Sequence, residues 1–179
     1  MKRTSSVLAA SVLVLAVGCA GRTRAPRQGE AAPPRVGVVE FSLTDAEKVV
    51  YDGSSDGFGL AVAEAIAADL RERGYQAEAF PRAGTPQGDV IVRGRIRRLD
   101  EGSRALRYMV SFGAGAAALA VDGEVVRSDG SQVGAFADER RSGFGIFGGS
   151  GEDLLQRNVH EIAEDVGEMI ATGNYEMHH

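Results

Sequence analysis

Hydrophobic and polar residues alternate along residues 89–99, DVIVRGRIRRL, with a period of two. This period predicts a β-strand, because successive side chains of a strand point to opposite faces of the sheet. Val90, Val92 and Ile96 share one face with Gly94, and arginines occupy the other face. A covered face opposite a solvated face indicates an antiparallel region of sheet.

Two stretches follow the helical period instead. Apolar side chains recur at three- to four-residue spacing from residue 58 to 73, Ser55 or Asp56 can cap this helix, and Gly74 is placed to end it. A second helix is predicted from Glu152 to about Ala171, with Ser150 as its cap. The apolar stripe of the second helix consists of Leu155, Val159, Ile162, Val166 and Met169 or Ile170.

Runs of β-branched and small residues between turn signals predict four more strands. They are expected at residues 35–43, 75–80, 107–127 and 132–141. The order β-α-β-β-β-β-α predicts the α/β (α+β) class, with a single mixed sheet of about five strands and both helices packed on one face. The first strand, helix and strand can form a right-handed crossover.

The segment MVSFGAGAAALAV, residues 109–121, fits the dinucleotide-binding pattern G-x-G-x-x-A at Gly113, Gly115 and Ala118. That pattern requires a helix of several turns after the glycines. Only Leu119, Ala120 and Val121 follow Ala118 before DGE begins, so a helix from Gly115 would end within about two turns. We therefore interpret the glycines as kinks in a long strand and expect no nucleotide or other cofactor.

The first 19 residues, MKRTSSVLAASVLVLAVGC, have the layout of a secretory signal, with Lys2 and Arg3 before a short apolar run. The run is shorter than the roughly 20 residues that a membrane-spanning helix needs. LAVGC resembles the lipobox of bacterial lipoproteins, in which the chain is cut before a Cys that is then acylated. We expect lipidation of Cys19. The alternatives are an ordinary secretory signal with a stray Cys, or a buried apolar helix.

The predicted organisation is a signal peptide at residues 1–18, a lipid-anchored flexible linker at 19–34 and a periplasmic domain at 35–179. The linker carries Pro, Gly and three Arg residues without an apolar period. The residue after Cys19 is Ala20. An Asp at this position would resemble a signal for retention in the inner membrane. These features favour a lipid anchor on the periplasmic face of the outer membrane.

Composition excludes several classes of protein. The chain has 179 residues, a net charge of −5 and a single Cys. An intrachain disulfide and a Cys-based zinc site are therefore impossible, and the acidic balance disfavours nucleic acid as a partner.

From Gly94 to Gly115 the sequence reads GRIRRLDEGSRALRYMVSFGAG, and a turn at Asp122 or Asp129, with Gly130, follows. This stretch resembles a DUF4410-like bacterial lipoprotein family of unknown function. The matching positions are Gly94, Ile96, Gly102, Ser103, Arg104, Arg107, Gly113 and Gly115. The resemblance implies an envelope lipoprotein with a small α/β domain, similar to those of envelope assembly lipoproteins, with structural glycines and no catalytic residues.

Candidate catalytic chemistry is sparse. The sequence has no nucleophile elbow of the G-x-S-x-G type. His160 and Glu164 are four residues apart on the last helix and could hold a metal or a proton, but a solvated helix face is the simpler interpretation. We expect neither a metal site nor an enzyme.

The arginines of the alternating strand are the best candidates for binding. Arg93, Arg95 and Arg97 share one face and could contact an acidic partner or an anionic lipid or glycan, alongside Arg104 and Arg107. Glu139, or Asp138 on the other face, could neutralise them from the last hairpin, leaving only a solvated sheet face. The leading hypothesis is a non-enzymatic envelope lipoprotein that docks on another envelope protein in an assembly or export complex. The alternative is a binding module for an anionic envelope ligand.

Overall fold

A computed structural model of the protein describes residues 34–44, 46–51, 55, 57–102, 116–142, 150–174 and 176–178. The expected signal peptide, Cys19 and nearly all of the linker lie outside these ranges. So do four of the candidate residues, namely Arg104, Arg107, Gly113 and Gly115.

Seven strands and two helices form the described domain. The strands are β1 (Arg35–Val39), β2 (Lys48–Val50), β3 (Gln76–Phe80), β4 (Val90–Asp100), β5 (Ala117–Arg127), β6 (Gln132–Ser142) and β7 (Glu176–His178). The helices are α1 (Phe58–Glu72) and the longer helix Gly151–Thr172, here α2.

All seven strands belong to one mixed sheet, in the order β3-β1-β4-β5-β6-β7, and β2 pairs with β4 beyond the end of β1. Strand β1 is parallel to β3 and β4, whereas β4, β5 and β6 form an antiparallel meander. The predicted α/β class and the order of the five longer strands are confirmed. The two additional strands, β2 and β7, have three residues each, too few to produce a readable period.

Both helices pack on one face of the sheet, as predicted. The core contains Val36 and Val38 of β1 and Val92 and Ile96 of β4, together with the apolar stripes of the helices. The second helix buries Leu155, Ile162, Val166, Met169 and Ile170. On the opposite face of the sheet, here called the outer face, no helix of the described residues packs.

The predicted start of α2 is confirmed, whereas the predicted cap of α1 is wrong. Ser150 Oγ accepts a hydrogen bond from the Asp153 N–H at 3.0 Å, and Asp153 Oδ2 accepts from the Ser150 N–H at 2.9 Å. This capping box confirms the predicted start of α2. The predicted side-chain cap of α1 is wrong, because Gly57, with φ of 85°, is the N-cap and makes no side-chain hydrogen bond. Ser55 contributes only its backbone carbonyl, which accepts from the Phe58 N–H.

A pair of glycines lets two aromatic rings lie on the inner face of the meander. Gly94 and Gly123 stand opposite each other on β4 and β5. A Cβ on Gly94 would lie 2.5 Å from the ring of Phe41, and one on Gly123 would lie 2.1 Å from the ring of Phe136. The two rings are 6.4 Å apart and nearly fully buried. The glycines therefore supply the space that the rings fill.

Candidate functional site

Acidic side chains of β5 lie next to the arginines of β4 on the outer face. In the antiparallel register Arg93 stands opposite Glu124, and Arg95 stands opposite Asp122. Directly opposite residues of neighbouring strands share a face and lie within reach of each other. The register therefore places each of these arginines beside a carboxylate.

The contacts are short and directed. Arg93 Nε lies 2.7 Å from Glu124 Oε1, and Arg95 Nη2 lies 2.9 Å from Asp122 Oδ2. Arg97 Nε lies 2.6 Å from the second carboxylate oxygen of Asp122. The side chains of Arg93 and Arg95 remain 57% and 54% exposed. These two arginines are thus held in place while facing solvent.

The expectation that Glu139 or Asp138 neutralises Arg93, Arg95 and Arg97 is wrong. Both acids are on β6, and β5 lies between β6 and β4. The nearer acids of β5 therefore form the pairs. The sequence alone could not show whether the acids of β5 or those of β6 pair with the arginines, because the pairs depend on the register of the strands.

Arg97 lies at an irregularity of β4. The pairing with β5 shifts between Ile96 and Arg98, which is the signature of a β-bulge. The extra residue allows Ile96 and Leu99, three positions apart, to be fully buried in the same core. Arg97 therefore has no directly opposite residue on β5. Its guanidinium contacts Asp122, which stands opposite Arg95.

A second group of charges continues the outer face toward the end of β4. Arg98 bridges Asp100 at 3.6 Å and Glu139 at 3.8 Å, and Glu139 also pairs with Arg141 at 2.7 Å. Ala120 stands between Arg98 and Glu139 in the register. Its small side chain allows the contact to cross β5. Charge pairs therefore cover much of this face.

Asp100 is the most buried acid of that group, and it joins β2 to β4. Burial alone would raise its pKa, but the hydrogen bond from Lys48, the hydrogen bond from the Gly102 N–H and the positive charge of Arg98 together lower the pKa below its usual value of 3.8. Gly102, with φ of 75°, provides the turn that brings its N–H to the carboxylate at 3.0 Å. The carboxylate is thus stabilised as an anion.

We expect Asp100→Asn to lower stability at neutral pH and to lose this effect in acid. A carboxylate whose folded pKa is depressed stabilises the fold above its unfolded pKa, and this contribution disappears as pH falls through the folded pKa. Urea unfolding at pH 7 and near pH 3 should therefore show a gap between variant and unchanged protein that narrows at the lower pH. Asp89→Asn, which removes an exposed carboxylate near Arg35, serves as the control. A gap of equal size at both pH values would contradict the assignment.

A groove of about 590 Å³ opens on the outer face beside the β4–β5 charge pairs. Its charged lining consists of Arg82, Arg93, Arg95, Glu40, Asp122 and Glu124. The hydroxyl-bearing residues Ser42 and Thr44 form part of one wall. The groove has the size of a small-molecule or peptide site, and its lining combines guanidinium donors with carboxylate acceptors.

The inner face of β6 carries a polar cluster that the sequence did not single out for this role. Asp138 is fully buried, and Arg140 Nε lies 3.1 Å from its Oδ1 as an ion-pair contact. Arg140 also pairs with Asp165 of α2. One residue further along the same face, Ser142 bonds to the fully buried Asn158 of α2. The signal in the sequence is that Asp138, Arg140 and Ser142 are all polar. Alternation places them on the same face as Phe136, where apolar residues would be expected.

The candidate metal or proton pair of the last helix lies at the surface. His160 and Glu164 contact each other at 3.3 Å but are 72% and 53% exposed, as on a solvated helix face. Across the described ranges no group of three or more His, Cys, Asp or Glu residues could hold a metal ion. In the same ranges, no helix has both the length and the apolar character required to cross a bilayer.

The fold and the site together define a small α/β domain with one helix-covered sheet face and one face that carries cross-strand charge pairs. The chain belongs to the DUF4410 family, a domain of unknown function, whose family model matches residues 55–145, about half of the chain. The matched region runs from the start of α1 to the end of β6, and it confirms the resemblance noted in the sequence. No curated protein sequence matches the chain.

The chain is similar in structure to two solved proteins, among others. Protein XCC0632 from Xanthomonas campestris is 12% identical over 83% of this chain and 91% of its own, with a TM-score of 0.52. The PelC dodecamer from Paraburkholderia phytofirmans is 15% identical over 76% of this chain and 86% of its own, with a TM-score of 0.49. At these identities the likeness concerns the fold alone.

Proposed function

We propose that this protein is a non-enzymatic lipoprotein of the bacterial cell envelope that docks on another envelope protein as an accessory component of an assembly or export complex. The observation that carries the proposal is the set of charge pairs on the outer face. Its arginines and carboxylates are ordered by mutual ion pairs, yet Arg93 and Arg95 remain more than half exposed. Polar groups that are already ordered lose little conformational freedom on binding, which favours recognition of a partner surface.

Charge pairing also indicates the kind of partner. The groove lining contains three arginines and three carboxylates, so it presents balanced charge rather than a positive field. A protein surface offers carboxylates and cations together and can match such a mosaic. An anionic lipid or glycan, the alternative ligand, would meet Asp122 and Glu124 as well as the arginines.

The docking face is tested by changing its three arginines together. We expect Arg93→Gln, Arg95→Gln and Arg97→Gln in one chain to lower the melting temperature only slightly. Arg93 and Arg95 form exposed ion pairs, which each contribute only about 0–1 kcal/mol, and the partly buried Arg97 shares the carboxylate of Asp122 with Arg95. Partner crosslinks in intact envelopes should fall by more than tenfold, about 1.4 kcal/mol of binding free energy or more.

A variant with Arg71→Gln, Arg127→Gln and Arg157→Gln, three exposed arginines outside the groove, controls for the loss of three positive charges. Unchanged crosslinks in the triple variant would contradict docking through this face. Binding of the purified chain to phosphatidylglycerol vesicles that disappears in the triple variant would instead favour the anionic-ligand alternative.

Membrane attachment is proposed to occur through Cys19. Replacing Cys19 by Ser should move the protein from the membrane fraction to the soluble fraction, because the sulfur that carries the lipid would be absent and one short apolar run cannot span the bilayer. Fractionation with mass spectrometry of the N-terminal peptide measures both location and lipid. Membrane retention of the Ser variant, together with an unlipidated Cys19 in the unchanged protein, would contradict the anchor.

A further inference from the structure

The short strand β2 is an exposed edge of the sheet. All three of its residues are exposed, and among the described residues it pairs with β4 alone. Val49 and Val50 are 45% and 46% exposed, and they are the two large hydrophobic residues that stand out as exposed in the described ranges. An edge with apolar side chains and available backbone groups is a template for another strand.

One common protection of an edge strand, a lysine directed at solvent, is missing from β2. Lysine on an edge normally repels an incoming strand. Lys48 is instead directed onto its own sheet, where its Nζ lies 2.5 Å from Asp100 Oδ2. The only charge of the strand is thereby neutralised within the molecule, and the two valines remain facing solvent.

The neighbouring strand β3 leaves room for an added strand. It pairs with β1 only as far as Val39, opposite Phe80. The β2 residues lie further along β4, from Arg98 to Asp100. Strand β3 therefore lies beside β1, whereas no described strand lies beside β2 on the side away from β4.

We propose that this edge is a self-association surface on which two copies of the chain pair their β2 strands antiparallel about a two-fold axis at Val49. In this register Val49 faces Val49 of the other copy, and Lys48 faces Val50 rather than a second lysine. The contact is therefore apolar at its centre and free of like-charge opposition. A two-fold axis makes the same patch serve both copies, as an isologous interface requires.

The expected strength of this contact follows from its size. Three residue pairs bury far less than the roughly 1,000 Å² of a stable interface, so the contact should be weak in dilute solution. Confinement to a membrane raises the effective concentration of the copies. This second point rests on the lipid anchor proposed above, whereas the pairing itself does not.

Cysteine pairing tests the axis directly. In the proposed register the two copies of residue 49 have Cα atoms about 4.5–5.5 Å apart, within the range of a disulfide, whereas residue 50 faces residue 48 and its two copies are about 8 Å apart. Membranes carrying the full chain with Val49→Cys should therefore form disulfide dimers at least about tenfold faster than membranes with Val50→Cys. Glu78→Cys, exposed on the edge of β3, is the control for the other edge. The unchanged chain gives the background from Cys19.

A parallel measurement uses purified Cys19→Ser chain with the same three substitutions at high concentration, so that failure of the anchor does not hide failure of the edge. Equal rates for Val49→Cys, Val50→Cys and Glu78→Cys in both settings would overturn the proposal. So would a Val49→Cys thiol that reacts fully with maleimide without forming dimers, because the edge would then be uncovered. A thiol protected from maleimide that gives no dimer would also overturn it, because a different molecule would cover the edge.

Discussion

Replacing Arg140 by methionine should lower the free energy of unfolding by about 3–5 kcal/mol, because it leaves the fully buried Asp138 without its cation. Asp138 lies on the inner face of β6, and Arg140 connects it to Asp165 of α2. Methionine keeps much of the length and apolar volume of arginine. The expected loss therefore arises from the uncompensated charge rather than from a cavity. Urea unfolding at neutral pH measures it.

The adjacent residue provides a matched control. Arg141 is on the outer face, its side chain is 63% exposed and it pairs with Glu139. Arg141→Met should therefore change stability by no more than about 1 kcal/mol. Adding Asp138→Asn to the Arg140→Met variant removes the buried charge and should recover part of the loss, which a double-mutant cycle separates from other effects. Equal losses in the two methionine variants would show that the buried pair contributes nothing beyond a surface contact.

The contrast between Arg140 and Arg141 shows what sequence reasoning could and could not provide. Strand alternation places Arg140 and Arg141 on opposite faces of the sheet. It also correctly placed Arg93 and Arg95 on the face away from the buried Val92. Alternation does not reveal that Arg140 pairs both with Asp138 of its own strand and with Asp165 of α2. That contact depends on where α2 lies on the sheet, which a period of 3.6 residues does not determine.

Missing knowledge of the strand register likewise explains why the acidic partners of Arg93, Arg95 and Arg97 were misassigned. The hairpin turn was recognisable from Asp129 and Gly130, and Gly130 does have a positive φ of 85°. The other suggested turn residue, Asp122, is in the middle of β5 and pairs with Arg95 and Arg97 instead. A one-residue change in register alters every cross-strand pair. Short-range patterns therefore predicted the elements and their order, but not the charge pairs that make up the candidate site.

The aromatic rings over the glycine pair carry the second large expected effect. Phe136 is 3% exposed and lies where a side chain on Gly123 would project. Phe136→Ala should lower the free energy of unfolding by about 3–5 kcal/mol, since the ring leaves a cavity that the backbone cannot close. Gly123→Val should also be destabilising, by about 1–3 kcal/mol, because its Cβ would lie 2.1 Å from the ring.

The two changes should compensate when combined. Valine at position 123 would occupy space that alanine at position 136 vacates, and β-branched residues are favoured in strands. The loss in the double variant should therefore be smaller than the sum of the single losses by about 1 kcal/mol or more, as expected for residues in direct contact. Urea unfolding of the four proteins in the cycle measures this coupling, and Gly130→Val, in the turn after β5 and far from any ring, serves as the uncoupled control with Phe136→Ala. Additive losses in the Gly123 cycle would mean that the ring of Phe136 does not lie over Gly123, and the inner face of the meander would have to pack differently.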